Sequence, residues 1–148
     1  MYSCIVVGTD GSDTAAEAVR HAAELARIHG ARLHVVSAYS ATLSSKLQAE
    51  RELLPEEERW MVSPGEQAER VLVEAAKTIE ATTGVSVETH ALPGDPAEVI
   101  IQLAETLGAE LVVVGNKGMS GITRFLLGSV PSKVAHHASC SVLIVRTT

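Results

Sequence analysis

Aromatic residues are scarce, at 3% of the 148 positions. A chain of this length buries roughly two-thirds of its unfolded surface, so its core has to be aliphatic. There are two cysteines, Cys4 and Cys140, too few for a disulfide-stapled scaffold. Each opens an apolar, strand-like run and reads as a small buried side chain. No apolar run approaches the roughly 20 residues that a membrane-spanning helix needs, and no membrane partner is expected. Cations are in the minority: 12 Lys and Arg stand against 18 Asp and Glu, for a formal net charge of −6. They are also dispersed, which argues against nucleic acid, because a phosphate backbone rewards grouped positive charge. The opening stretch MYSCIVVGTDGS has neither a basic leader region nor a cleavage site. A cytoplasmic, reducing location and a single domain are therefore the expectations.

What is present alternates. CIVVGTD (Cys4–Asp10), RLHVVSA (Arg32–Ala38), VSVETHA (Val85–Ala91), AELVVVG (Ala109–Gly115) and CSVLIVR (Cys140–Arg146) read as strands. Helical patterns separate them. The first runs from an N-cap at Ser12 to a closing glycine at Gly30, with Ala15, Val19, Ala22, Ala23 and Ala26 on one face. The next runs from Gly65 to Gly84. The third is opened by Asp95 as cap, Pro96 at the first helical position and Glu98 two residues on, a capping-box pattern. The last lies within LLGSVPSKVAHHAS. Strands alternating with helices of this length predict βαβ units and a parallel, doubly wound α/β sheet. The first and fourth strands are apolar throughout, as central strands covered on both faces should be. The third alternates polar residues and belongs near an edge. That topology puts the two cysteines two strands apart, too far to bridge at about 4.8 Å per strand.

One segment breaks the rhythm. Residues 39–65 are polar, carry the acidic run Glu56-Glu57-Glu58 and hold the single tryptophan, Trp60. A variable, flexible loop is expected there, with a short helix within SSKLQAERELL. Inserted loops of this length are often lids; a solvated linker is the alternative.

The glycines after the fourth strand carry the chemistry. In open α/β sheets, ligands bind beyond the carboxyl ends of the strands, where the strand order reverses. If the first and fourth strands are neighbours, the GTDGS and GNKGMSG tips flank one crevice. A missing Cβ lets backbone N–H groups approach a ligand and permits positive φ. Successive N–H groups form an anion nest, and the following helix adds its positive end. Gly128-Ser129 opens that helix, so a phosphate is the natural guest. The pattern is neither a Walker A loop nor the dinucleotide fingerprint. Each residue has a plainer reading: Asp10 as a turn organiser, Ser129 as a helix cap, Lys117 and Arg124 as solvated loop cations. The six histidines offer no convincing ligand set, and no metal held by the protein alone is expected.

Gly115-x2-Gly118-x9-Gly128-Ser129 resembles the nucleotide motif G-x2-G-x9-G-[S/T] of the universal stress protein family. IVVGTDGS is similar to that family's first strand and turn, and GSVPSKVAHHASCSVLIVR to its C-terminal signature. The Gly-Asp-Pro opening of the third helix fits as well, so the likeness covers nearly all of 1–148 apart from 39–65. The resemblance implies a Rossmann-like, five-stranded parallel sheet in the order 3-2-1-4-5, helices on both faces, and a regulatory, stress-response role. It also implies ATP or another adenine nucleotide as ligand, with cyclic AMP allowed and Mg carried by the nucleotide, Asp10 being its candidate protein ligand. Carried over by position, Gly115, Gly118, Gly128 and Ser129 resemble the phosphate site, extended by the Val130 N–H. Thr9 and Asp10 resemble ribose or inner-phosphate contacts. Ala38 resembles the position whose backbone reads the adenine edge, and Val7, Gly8 and Val114 would line the apolar slot. Lys117 is in reach of a phosphate.

Assembly and activity remain to be read. Val142, Leu143, Ile144 and Val145 form an apolar run at a sheet edge with no Pro or Lys to guard it. A homodimer pairing this strand about a two-fold axis is expected, and the resemblance points the same way. Three functions are compatible with these features: a nucleotide-binding regulator, a slow ATP hydrolase on the same fold, and a dimeric interaction module without a ligand. The intact motif glycines favour the first.

Overall fold

The computed structural model describes residues 1–117 and 126–147. The first helix, α1 (Asp13–His29), follows strand β1 (Cys4–Gly8) and leads into β2 (Arg32–Tyr39). Two short elements come next, α2 (Ser45–Glu52) and a 3-10 turn over Glu56–Met61. The remainder alternates: α3 (Pro64–Thr83), β3 (Val87–Pro93), α4 (Pro96–Leu107), β4 (Leu111–Gly115), α5 (Ser129–His137) and β5 (Ser141–Val145). The strands form one parallel sheet in the order β3-β2-β1-β4-β5, as the resemblance implied.

Helix ends fall where local chemistry puts them. Ser12 accepts the Ala15 N–H at 3.2 Å and Asp95 accepts the Glu98 N–H at 3.2 Å, each satisfying a donor that the first turn leaves unpaired. Gly30 ends α1 at φ 64° and Gly84 ends α3 at φ 72°, left-handed conformations that cost glycine nothing. Segment 39–65 is more structured than a plain loop. Ser44 caps α2 through the Leu47 N–H, and Pro55 opens the turn that holds the acidic run. No side chain of either element is buried, which is why neither shows a hydrophobic period.

Strand alternation sends successive side chains to opposite faces. Ile5, Val7, Leu33, Val35, Leu111 and Val113 pack beneath α1 and α3 with Ala18, Ala22, Leu72 and Ile79. Cys4, Val6, Val36, Val112 and Val114 pack beneath α4 and α5 with Ile100, Leu103 and Val134. Full burial of each Val, Leu or Ile contributes about 1.5–3 kcal/mol, and the aliphatic core that the lack of aromatics demands is the one found. β1 and β4 are buried along four of their five residues, whereas β3 is half-exposed at the edge. Both cysteines are free thiols, and burial raises the pKa of each.

Candidate functional site

The sheet reverses its winding between β1 and β4, and the crevice beyond their carboxyl ends is a cavity of about 210 Å³. Its apolar wall comes from Val36 and Ala38 of β2, Val114 of β4, Ile100 of α4 and Pro131 of α5. The polar rim comes from Thr9, Asp10, Lys117 and Ser129. The first turn of α1 reaches the residue after β4, where the Thr14 hydroxyl donates to the Lys117 carbonyl at 3.4 Å, and the Thr9 N–H continues the β1–β2 ladder to the Val36 carbonyl at 2.9 Å.

Gly8 and Gly128 work by absence of bulk, not by backbone conformation. None of the described glycines that line the cavity, Gly8, Gly115 and Gly128, has positive φ. A Cβ on Gly8 would lie 2.6 Å from Ile100 Cδ1, and one on Gly128 would lie 3.3 Å from Lys117 Cα. Gly115 faces the Thr14 and Lys117 carbonyls, 3.6 and 3.5 Å from where its Cβ would stand. Of the two uses that a missing Cβ offers, close approach and positive φ, positions 8, 115 and 128 do not use the second. Gly118 and Arg124 lie outside the described residues.

The start of α5 supplies the anion-directed end. Gly128 is its N-cap, with φ −60° and ψ 166°, and its own N–H is used by the Asn116 carbonyl at 3.0 Å. Ser129 is thus the first helical residue and not the cap, which removes the plainer of its two readings. The N–H groups of Ser129 and Val130 are among the helix's initial unpaired donors, and both residues line the cavity beside the Ser129 hydroxyl. Pro131 follows and has no N–H to offer. Helix dipole and amides together favour an anion at this point. The N-termini of α1 and α4 reach the same cavity through Ala15 and Pro96.

Asp10 lines the cavity, and its Oδ1 accepts the Ser12 N–H at 2.9 Å, the local turn bond expected of Asp. Asn116 is a position that sequence reasoning missed. Its side chain is buried, and Oδ1 accepts both the N–H and the hydroxyl of Thr147, at 3.0 and 2.7 Å. Its N–H donates to Val145 and its carbonyl receives Gly128. One residue thereby ties the end of β4, the start of α5 and the end of β5. Its only signal in the sequence was a polar residue directly after an apolar strand.

The sequence profile described as Universal stress protein family matches residues 1–146. The chain belongs to this family. A universal stress protein of Mycobacterium tuberculosis is 37% identical over 147 residues, covering 99% of this chain and 98% of its own. A crystal structure of a universal stress protein in complex with cAMP superposes with a TM-score of 0.73 at 34% identity, covering 99% of this chain and 98% of that one. The universal stress protein of Archaeoglobus fulgidus in complex with dAMP gives 0.68 at 27% identity, covering 97% of each.

Of the positions that the family motif singled out, Gly8, Thr9, Asp10, Ala38, Val114, Gly115, Lys117, Gly128, Ser129 and Val130 all line the one cavity. Val7 does not. It points to the opposite face of the sheet, beneath α1 and α3, because it is one residue out of phase with Val6 and Gly8. Val36, Ile100 and Pro131 take its place in the apolar wall. Strand β5 occupies the sheet edge with Val142, Leu143 and Ile144 half-buried, while Val145 is already 3% exposed inside one chain. No helix among the described residues is long and apolar enough to cross a membrane. His34, Glu88 and His90 come together across β2 and β3, with ligating atoms all within 4.8 Å of one another.

Proposed function

We propose that this universal stress protein binds one adenine nucleotide across the ends of β1 and β4 and acts as a regulator more than as an enzyme. The observation that carries this reading is one cavity combining an apolar slot with an amide-lined helix start. The slot suits a flat base, with the Ala38 backbone at its edge. Thr9 and Asp10 suit a ribose, and the Ser129 and Val130 amides with the Ser129 hydroxyl suit a phosphate. Related structures in complex with cAMP and dAMP support an adenine ligand. The donors at α5 serve one phosphate, which is all that cyclic AMP presents. ATP would draw in addition on Lys117, the one cation among the described residues lining the cavity.

Asp10 is the one carboxylate among those residues. One carboxylate plus phosphate oxygens is a usual way to hold Mg²⁺, so the residues present fit an ion carried in with ATP, where it would neutralise phosphate charge. Hydrolysis also needs a group that aligns the attacking water. Asp10 Oδ1 is engaged with Ser12, and turnover is expected to be slow at most. Assembly is part of the proposal: two copies pair through the unguarded edge of β5, with Leu143 and Ile144 at the centre of the contact. A cytoplasmic location accords with the two free thiols.

Thermal unfolding tests the binding. A ligand at 100 times its Kd adds about 2.7 kcal/mol, so ATP, ADP or cyclic AMP should raise Tm where GTP does not. An unchanged Tm with every adenine nucleotide overturns the reading.

A further inference from the structure

A second site lies on the sheet, away from the nucleotide cavity. Parallel pairing sets His34 of β2 directly beside Glu88 of β3, and Val36 beside His90. Glu88 and His90 are two residues apart on one strand and share a face, the face that His34 also uses. The result is three ligand-type side chains converging from two strands. His34 Nδ1 is 3.0 Å from His90 Nε2 and 3.5 Å from Glu88 Oε2. Two nitrogens bound to one tetrahedral ion at about 2.0–2.1 Å each stand roughly 3.3–3.4 Å apart, so the two rings, hydrogen-bonded at 3.0 Å here, need to part by only a few tenths of an ångström to admit one.

Burial decides which nitrogen of His34 is available. His34 is 1% exposed, and its Nε2 is buried with no hydrogen-bond partner. An orphaned polar atom of this kind costs free energy that an aliphatic residue would not. An ion on Nδ1 would leave Nε2 carrying the ring proton and would not relieve it, so the convergence of His34 Nδ1, His90 Nε2 and Glu88 is what carries the site. Access is open: the Glu88 side chain is 71% exposed on the edge strand and His90 is half-buried. Two imidazoles and one carboxylate form a borderline donor set, suited to Zn²⁺ and neighbouring late first-row ions and ill suited to Mg²⁺ or Ca²⁺.

We propose that His34 Nδ1, His90 Nε2 and the Glu88 carboxylate bind a divalent transition-metal ion, Zn²⁺ in particular, leaving one coordination position for water or an outside ligand. The ion ties the edge strand β3 to β2. The far end of β3, where the Gly94 N–H bonds the Tyr39 carbonyl at 3.0 Å, leads directly to Pro96, which lines the nucleotide cavity. The site thus fastens a strand on which the cavity depends, and it stands independently of what that cavity binds.

The test is a Zn²⁺ titration of chelator-treated, full-length protein against a chromophoric competitor, with Co²⁺ absorption as a second readout of coordination. One ion per chain is expected. His90→Ala and Glu88→Gln should each weaken binding by at least about tenfold, the lower bound for losing even an outer-shell partner. Both positions lie on the edge strand, and far-UV circular dichroism verifies their folding. The double replacement His136→Ala and His137→Ala, on α5, should leave affinity unchanged. No saturable Zn²⁺ or Co²⁺ binding by the wild type overturns the proposal, as does undiminished affinity in folded Glu88→Gln.

Discussion

Replacing Gly8 by alanine puts the account of the glycines to a quantitative test. The new Cβ would sit 2.6 Å from Ile100 Cδ1 and 3.3 Å from Cγ1, and Ile100 is buried at 5% exposure. Overpacking of this kind costs about 1–3 kcal/mol. Because Gly8 has no positive φ, the alanine also narrows the unfolded ensemble and recovers about 0.4–1 kcal/mol. The net loss should be about 0.5–2 kcal/mol, or roughly 1–8 °C at about 2–4 °C per kcal/mol for a chain of this size. Ile100→Val removes Cδ1, the atom in collision, and alone costs about 0.5–1.5 kcal/mol. In the double variant the clash disappears, so the two costs should fall short of additivity by about the clash itself, 1–3 kcal/mol. Denaturant unfolding of the four proteins measures this coupling. Ile100 also lines the cavity, so nucleotide affinity should fall in Gly8→Ala and recover in the pair. Strict additivity, with Gly8→Ala as stable as wild type, would refute the packing explanation.

Three further outcomes are expected. Ser129→Ala should weaken nucleotide binding by about 10–150-fold, the value of one charge-assisted hydrogen bond of about 1.5–3 kcal/mol; titration calorimetry measures it. The Tm of its ligand-free form should not move, since Gly128 is the N-cap. Asn116→Ala deletes the acceptor of two Thr147 hydrogen bonds and should cost about 1–3 kcal/mol by chemical denaturation, with Thr147→Ala adding little on top. Light scattering should give the wild type twice the 15.6 kDa chain mass, and Ile144→Lys, which would set like charges beside each other across the proposed two-fold axis, should be monomeric.

Much of the fold was legible because its determinants are local. Ser12, Asp95, Gly30 and Gly84 mark helix ends by chemistry that acts within one turn, and the apolar runs of β1 and β4 mark central strands. The motif glycines named the cavity because their spacing is a family signature, and the strand topology then brings Gly8 and Gly128 to one place. What was missed depends on contacts between strands. His34 and Glu88 are neighbours through the β2–β3 register, which no spacing along the chain encodes. Asn116 matters through Thr147, on the far side of α5 in sequence. Val7 was misassigned by one residue because period two makes a single step a change of face. The reason for glycine at position 8 lies in Ile100 of another element, invisible until α4 is packed on the sheet.

The central claim is adenine-nucleotide binding at the start of α5. Isothermal titration of ATP, ADP, cyclic AMP and GTP into the wild-type protein tests it most directly, with Ser129→Ala titrated in parallel. The account predicts saturable binding of at least one adenine nucleotide at one site per chain, weaker binding of GTP, and a loss of affinity in Ser129→Ala. No binding of any adenine nucleotide at millimolar concentration, or adenine binding that Ser129→Ala leaves unchanged, would contradict it.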